Sequence, residues 1–185
     1  MKKIFVIAIA SLMALSANAQ KIGRVNFNEL VMLMPEMDAA RETIAASQKE
    51  AEETYAAMVE EYQGKVSQYQ QKSASWTAAI KESKEKELYD IQNRIQEFQQ
   101  NISQELQQQQ SQLMAPINEK ANAAVKEIAK AQGIDVLLDA SQAIYFSDSV
   151  IDLTADARKA LGIPADRTLE ALQAELAAQA QAAQK

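Results

Sequence analysis

The chain has 185 residues, a formal net charge of −6, and neither Cys nor His. The missing Cys excludes disulfides and thiolate metal sites, and the missing His removes the commonest general base and metal ligand. Only 5% of residues are aromatic, with four Gly and three Pro. Together with abundant Ala and Gln, this favours one domain built of long helices over a loop-rich globule with a large core.

The first nineteen residues read as a signal peptide. "MKK" is a basic start, "IFVIAIASLMAL" is an apolar run too short to span a membrane, and "ANA" places small residues at Ala17 and Ala19. Cleavage between Ala19 and Gln20 is expected, leaving an exported, soluble chain. No Cys follows the cleavage point, which argues against a lipoprotein anchor. Loss of Lys2 and Lys3 takes the formal charge from −6 to −8, which argues against nonspecific nucleic-acid binding.

"KIGRVNF" (Lys21–Phe27) reads as a short strand, with Gly23, Val25 and Phe27 on one side and Ile22, Arg24 and Asn26 on the other. Asn28 offers an N-cap for "ELVMLM". Pro35 ends that turn or opens a new helix at its first position, where proline is tolerated. From there Met37, Ile44, Ala51, Tyr55, Met58, Tyr62 and Tyr69 form a heptad seam, weakened by Arg41, Gln48 and Lys65. A second seam follows in Leu88, Ile91, Ile95, Phe98 and Ile102, then drifts through Leu106, Gln109, Leu113 and Ile117.

Between the seams lies "QQKSASWTAAIKES". Ser73 and Ser75 suit turns and caps better than helix interiors, so a reversal is expected near Ser73–Thr77. The alternative is one continuous helix from Pro35 to Gln132, which would need a partner along its whole length. With Trp76 as the tip, Pro35 lies 41 residues before it and Pro116 lies 40 after it. The two prolines would then share one level at the foot of an antiparallel hairpin with arms of ~60 Å, as a paired hinge.

After Pro116 the helix resumes, and "AQGID" stops it with Gly133 as a C′ residue. "IDVLLDA", "AIYF" and "VIDLT" read as three more strands, and Thr154 is placed to cap the short helix "ADARKAL". The Ala/Gln-rich tail has little to bury and reads as frayed or partner-dependent.

Catalysis needs a positioned nucleophile, base or metal, and no such constellation is present. There is no glycine-rich phosphate loop and no calcium-loop pattern. Asp135, Asp139, Asp148, Asp152 and Asp156 bracket the strands and suit turns and caps. "KESKEKE" (Lys81–Glu87) reads as solvated helix surface. Neither an enzymatic activity nor a cofactor is expected. Four short strands cannot hide their edges alone, so an oligomer sharing a sheet or barrel is expected. The residues assigned to that body are Ile22, Val25, Phe27, Val136, Leu138, Ile144, Phe146, Ile151 and Leu153.

The exported chain begins "KIGRVNFNEL", runs through a charged helical hairpin, and returns in "GIDVLLDASQAIYFSDSVIDLTADARKAL". This resembles the Skp/OmpH family of periplasmic chaperones, over about Lys21 to Leu161. The returning segment is the specific part, while the arms match only in length and character. The resemblance implies a homotrimer in which a small β body carries three helical hairpins around a cavity. It also implies unfolded outer-membrane proteins as clients, held in the periplasm without ATP.

The expected fold is therefore α+β but mostly α: a long antiparallel coiled-coil hairpin projecting from a small β body shared in a homotrimer. Residues 20–34 and 117–163 form the body, 35–116 the hairpin and 164–185 the tail. Along the hairpin, Tyr55, Met58, Tyr62, Tyr69, Leu88, Ile91, Ile95, Phe98 and Ile102 hold the seam or contact clients.

One departure matters. The best-known members have basic arms that attract acidic clients and lipopolysaccharide. Here Pro35–Lys72 carries eight acidic and four basic residues, and Lys81–Ala115 six and four. No basic cluster exists to which a lipopolysaccharide site could be transferred, whereas basic or apolar clients suit the arms. Two functions remain: a holdase for outer-membrane proteins, or an exported coiled-coil adaptor linking envelope components. A holdase suppresses aggregation of unrelated unfolded barrels, and an adaptor binds one folded partner.

Overall fold

The computed structural model describes residues 20–183, without the Ala183 side chain. The expected signal peptide, including Ala19, lies outside the described residues; Gln20 is the first of them. The elements in order are β1 (Ile22–Val25), α1 (Phe27–Leu33), α2 (Pro35–Lys72), a 3₁₀ turn (Ser73–Ser75) and α3 (Ala78–Ala131). β2 (Val136–Asp139), a second 3₁₀ turn (Ala140–Gln142), β3 (Ile151–Asp152), α4 (Thr154–Ala160) and α5 (Leu169–Ala183) follow. The protein is thus mostly helical with one small sheet. It divides into two compact units: Glu36–Ile117, and the described residues on either side of that segment.

In the flanking unit, β1 is the central strand of a three-stranded sheet ordered β2-β1-β3, and both pairings are parallel. Ile22 pairs with Val136, Val25 with Asp139, and Arg24 with Asp152. Gly23 is required by close packing: a Cβ there would meet Ile134 Cγ2 and Leu137 Cδ1, each at 3.1 Å. Gly133 adopts φ 66°, the left-handed conformation that closes a helix C-terminus cheaply only with glycine. Lys21 and Asp135 clamp the start of the sheet, Lys21 N donating to Asp135 Oδ2 at 2.8 Å and Asp135 N to Lys21 O at 2.9 Å.

Four readings need correction here. "AIYF" forms no strand, and both Ile144 and Tyr145 stand exposed. A strand needs a partner edge: β1 has both of its edges paired, and residues 143–146 pair with neither outer edge of the sheet. Phe27 opens α1 instead of ending β1, because Asn26, not Asn28, is the N-cap. Asn26 Oδ1 accepts from Glu29 N at 3.3 Å, and Glu29 accepts back from Asn26 Nδ2 at 2.8 Å. Thr154 does not cap α4; it is the first helical residue, and its hydroxyl accepts from Asn26 N at 3.3 Å. The tail is not wholly frayed: α5 forms, and Leu172 is buried.

The core of this unit follows the amphipathic pattern of α1. Leu30, Leu33 and Met34 are fully buried with Leu153, joined by Val25, Val31, Ala157, Leu161, Ile163 and Leu172. Met34 is extended at ψ 140°, as a residue before proline must be, so α1 stops and α2 begins afresh. Arg158 ties the tail to this core. Its guanidinium donates to Glu29 Oε1 at 3.1 Å, to Pro164 O at 2.9 Å and to Arg167 O. The Arg158 and Glu29 side chains are 16% and 25% exposed, sheltered enough for charge-assisted bonds to count. Arg158→Ala should cost about 2 kcal/mol of stability and release α5, read by thermal denaturation and by hydrogen exchange across Leu169–Ala183.

Candidate functional site

Glu36–Ile117 is an antiparallel helical hairpin. α2 ends at Lys72, the chain turns through Ser73–Ser75, and α3 starts at Ala78 after Trp76 breaks the helix in extended conformation. The expected reversal is therefore present, and the continuous-helix alternative is not. At the tip, the Tyr69 and Trp76 rings meet edge to face, 5.7 Å apart.

Polar cross-links set the register of the arms. Tyr69 OH donates to Glu85, Lys65 pairs with Glu87, Arg94 with Glu61, and Gln109 Nε2 donates to Ser47 Oγ at 2.9 Å. From 61 to 47 on α2, the matching step on α3 is from 94 to 109. Carried down to Pro116, the four pairs put it opposite Glu36–Ala40, in the first turns of α2. The two prolines differ in kind: Pro35 occupies the first position of α2, where its missing N–H costs no helical bond, whereas Pro116 lies inside α3.

The charged run "KESKEKE" is largely exposed, as expected, but two of its acids also belong to the cross-arm register: Glu85 accepts from Tyr69, and Glu87 pairs with Lys65, which looked like a seam defect. The available signal was the regular spacing of Glu61, Lys65 and Tyr69 on one face of α2, with partners of suitable chemistry beyond the tip. Glu87 is held at about 2 by its hydrogen bonds to Lys65 and Lys84. The same bond with Glu87 raises the Lys65 pKa, and the bond to Glu85 raises that of Tyr69.

Because the Glu87 pKa is lowered, its contribution is complete above the ordinary carboxylate value of 4.5 and is lost as pH falls through about 2. Because the Lys65 pKa is raised, its contribution is complete below 10.5 and is lost above that. Distances between spin labels at Gln68→Cys and Ser83→Cys should be constant between about pH 5 and 10 and broaden toward lower pH as Glu87 is protonated and above 10.5 as Lys65 loses its proton. The chain has no other Cys to label. In Glu87→Gln the acid-side change should disappear.

The predicted apolar residues of the arms meet unevenly. Ile91 is buried, while Met58, Tyr62, Tyr69, Leu88, Ile95, Phe98 and Ile102 are half-buried and Tyr55 is 36% exposed. The looseness has a local cause. Opposite Phe98, Ile102 and Leu106, the α2 residues Ser47, Ala51 and Thr54 have short side chains, and Gln48, Glu50 and Glu52 are polar. Two grooves result, on either side of a ridge formed by Ala51, Phe98, Ile102 and Leu106. One, of 520 Å³, is lined further by Glu50 and Glu105; the other, of 620 Å³, by Tyr55 and Glu52.

The body residues named from the sequence also divide. Val25 and Leu153 are buried in the core and Phe27 and Phe146 are half-buried, whereas Ile22, Val136, Leu138, Ile144 and Ile151 are exposed. Arg24 bridges the two groups: it pairs with Asp152 at 2.9 Å and stacks over Phe146 at 5.2 Å. Burial pushes the Asp152 carboxyl up, but hydrogen bonds from Thr154 and the Arg24 charge outweigh it and hold the carboxyl below its usual value.

Among the described residues no cluster of three metal-ligating side chains occurs, and no helix is long and apolar enough to cross a membrane. No curated relative matches the chain in sequence. Among solved structures, it is similar to the OmpH-like protein of Caulobacter crescentus CB15, a candidate outer membrane chaperone. The TM-score is 0.70 at 14% identity, covering 79% of this chain and 86% of that one, which establishes a shared fold. The family description "Outer membrane protein (OmpH-like)" matches residues 21–161, which span both the hairpin and the returning sheet. With three quarters of its length inside that match, the chain belongs to the OmpH-like family.

Proposed function

We propose that the protein is an ATP-independent periplasmic holdase that keeps unfolded outer-membrane proteins from aggregating, and that it works as a homotrimer. The observation that carries the reading is the incomplete burial of the arms. Of the nine arm residues named above, Ile91 alone is buried, so apolar surface remains for an unfolded segment. Met and Tyr suit such a surface because they adapt to many partners. Contacts of this kind are individually weak, which permits release without nucleotide hydrolysis.

Self-assembly is supported by the sheet. β2 and β3 both leave an edge open, and Ile22, Val136, Leu138, Ile144, Tyr145 and Ile151 are exposed around it. Short open edges with apolar neighbours are usually covered by another chain. The direct test is dilution of a urea-unfolded outer-membrane barrel, followed by turbidity with and without the protein. Suppression at near-stoichiometric ratios is expected, and an unaffected aggregation rate would overturn the reading. Light scattering on the same preparation should give three chains per particle.

A further inference from the structure

Resting on the holdase reading, we infer that the two grooves beside the Phe98–Ile102–Leu106 ridge select unfolded segments in which apolar side chains are flanked by Lys or Arg. The ridge supplies the apolar contact. Every charged residue lining either groove is acidic: Glu50 and Glu105 on one side, Glu52 on the other. The bias extends along this part of the hairpin. Residues 42–59 and 96–112 contain Glu42, Glu50, Glu52, Glu53, Glu97 and Glu105 against Lys49 alone. Lys49 itself lies 3.8 Å from Glu53.

The tip differs. There the acids face Lys65, Lys72, Lys81, Lys84 and Lys86, and Glu87 is already paired twice. The grooves therefore combine an uncovered apolar floor with three carboxylates, Glu50, Glu52 and Glu105, that enter no ion pair among the described residues. An extended segment laid along the ridge alternates its side chains, so apolar groups reach Phe98 and Ile102 while its cations reach the rims. A segment bearing Asp or Glu in the same places meets like charge instead, which weakens binding.

The test uses the full mature protein and three fluorescent peptides with the same Leu/Val/Tyr positions. Their intervening residues are all Lys, all Ser or all Glu. At low salt the Lys peptide should bind on the order of tenfold tighter than the Glu peptide, with Ser between, and the spread should shrink as salt screens the charges. Glu50→Gln/Glu52→Gln/Glu105→Gln should remove most of the preference while leaving the circular dichroism unchanged. Glu82→Gln/Asp90→Asn/Glu119→Gln, which removes equal charge elsewhere, should leave it intact. Equal binding of the three peptides overturns the charge selection and leaves the holdase reading standing. Loss of preference in the second variant as large as in the first overturns the assignment to the grooves. If no peptide binds, the holdase reading itself fails.

Discussion

Leu138→Asp is expected to convert an assembled protein into monomers that fold but no longer protect unfolded barrels. Leu138 is 42% exposed and Val136 41%, both on β2 at an open edge of the sheet. Leu137, between them, points the other way, toward the position a Gly23 side chain would take. The substitution therefore spares the core of the single chain, whose fully buried residues are Leu30, Leu33, Met34 and Leu153. An interface covering Leu138 would have to desolvate a carboxylate without a partner. That costs several kcal/mol, or at least about a hundredfold in affinity at each contact.

Light scattering across micromolar concentrations reads the assembly, and circular dichroism reads the fold. Tyr145→Asp gives an independent check, because Tyr145 is 79% exposed and outside any strand. If both variants assemble like the parent protein, the open edge and its apolar neighbours are not the subunit interface.

The helices were legible because their signals are local. Heptad spacing, the Ser73–Ser75 turn residues, Pro35 at a helix start and Gly133 at a helix end each act within a few residues. The specific assignments that failed depended on partners distant in sequence. "AIYF" has strand composition, yet it pairs with no edge of the sheet, the two open ones included. Leu172 has few large apolar neighbours in its own Ala-rich helix, and its burial follows from α1 and from Arg158, which gathers Glu29, Pro164 and Arg167. Glu87 looked like solvated surface because its partner Lys65 lies 22 positions away. The grooves were illegible for the same reason: small residues on α2 read as ordinary helix formers until α3 places Phe98, Ile102 and Leu106 against them.

Pro116→Ala should produce the second large effect, and Pro35→Ala almost none. Pro116 lies within α3, where proline removes one i to i−4 hydrogen bond and crowds the preceding turn, a cost of ~3 kcal/mol in a helix interior. Ala restores that bond, so hydrogen-exchange protection around residues 112–116 should rise and thermal stability should increase. Pro35 begins α2 and caps no lost bond, so Ala there changes little beyond chain entropy.

The hinge proposed for this pair therefore reduces to bending of α3 at Pro116. Bending there would let the arms accommodate clients of different size, and stiffening it should narrow the distances between spin labels at Thr77→Cys on different subunits. Protection of large barrels should then fall while protection of small ones persists. A Pro116→Ala protein with an unchanged distance distribution would show that α3 does not bend at this position. Equal effects of Pro35→Ala and Pro116→Ala would mean instead that both prolines act through the same joint, despite their different places in the two helices.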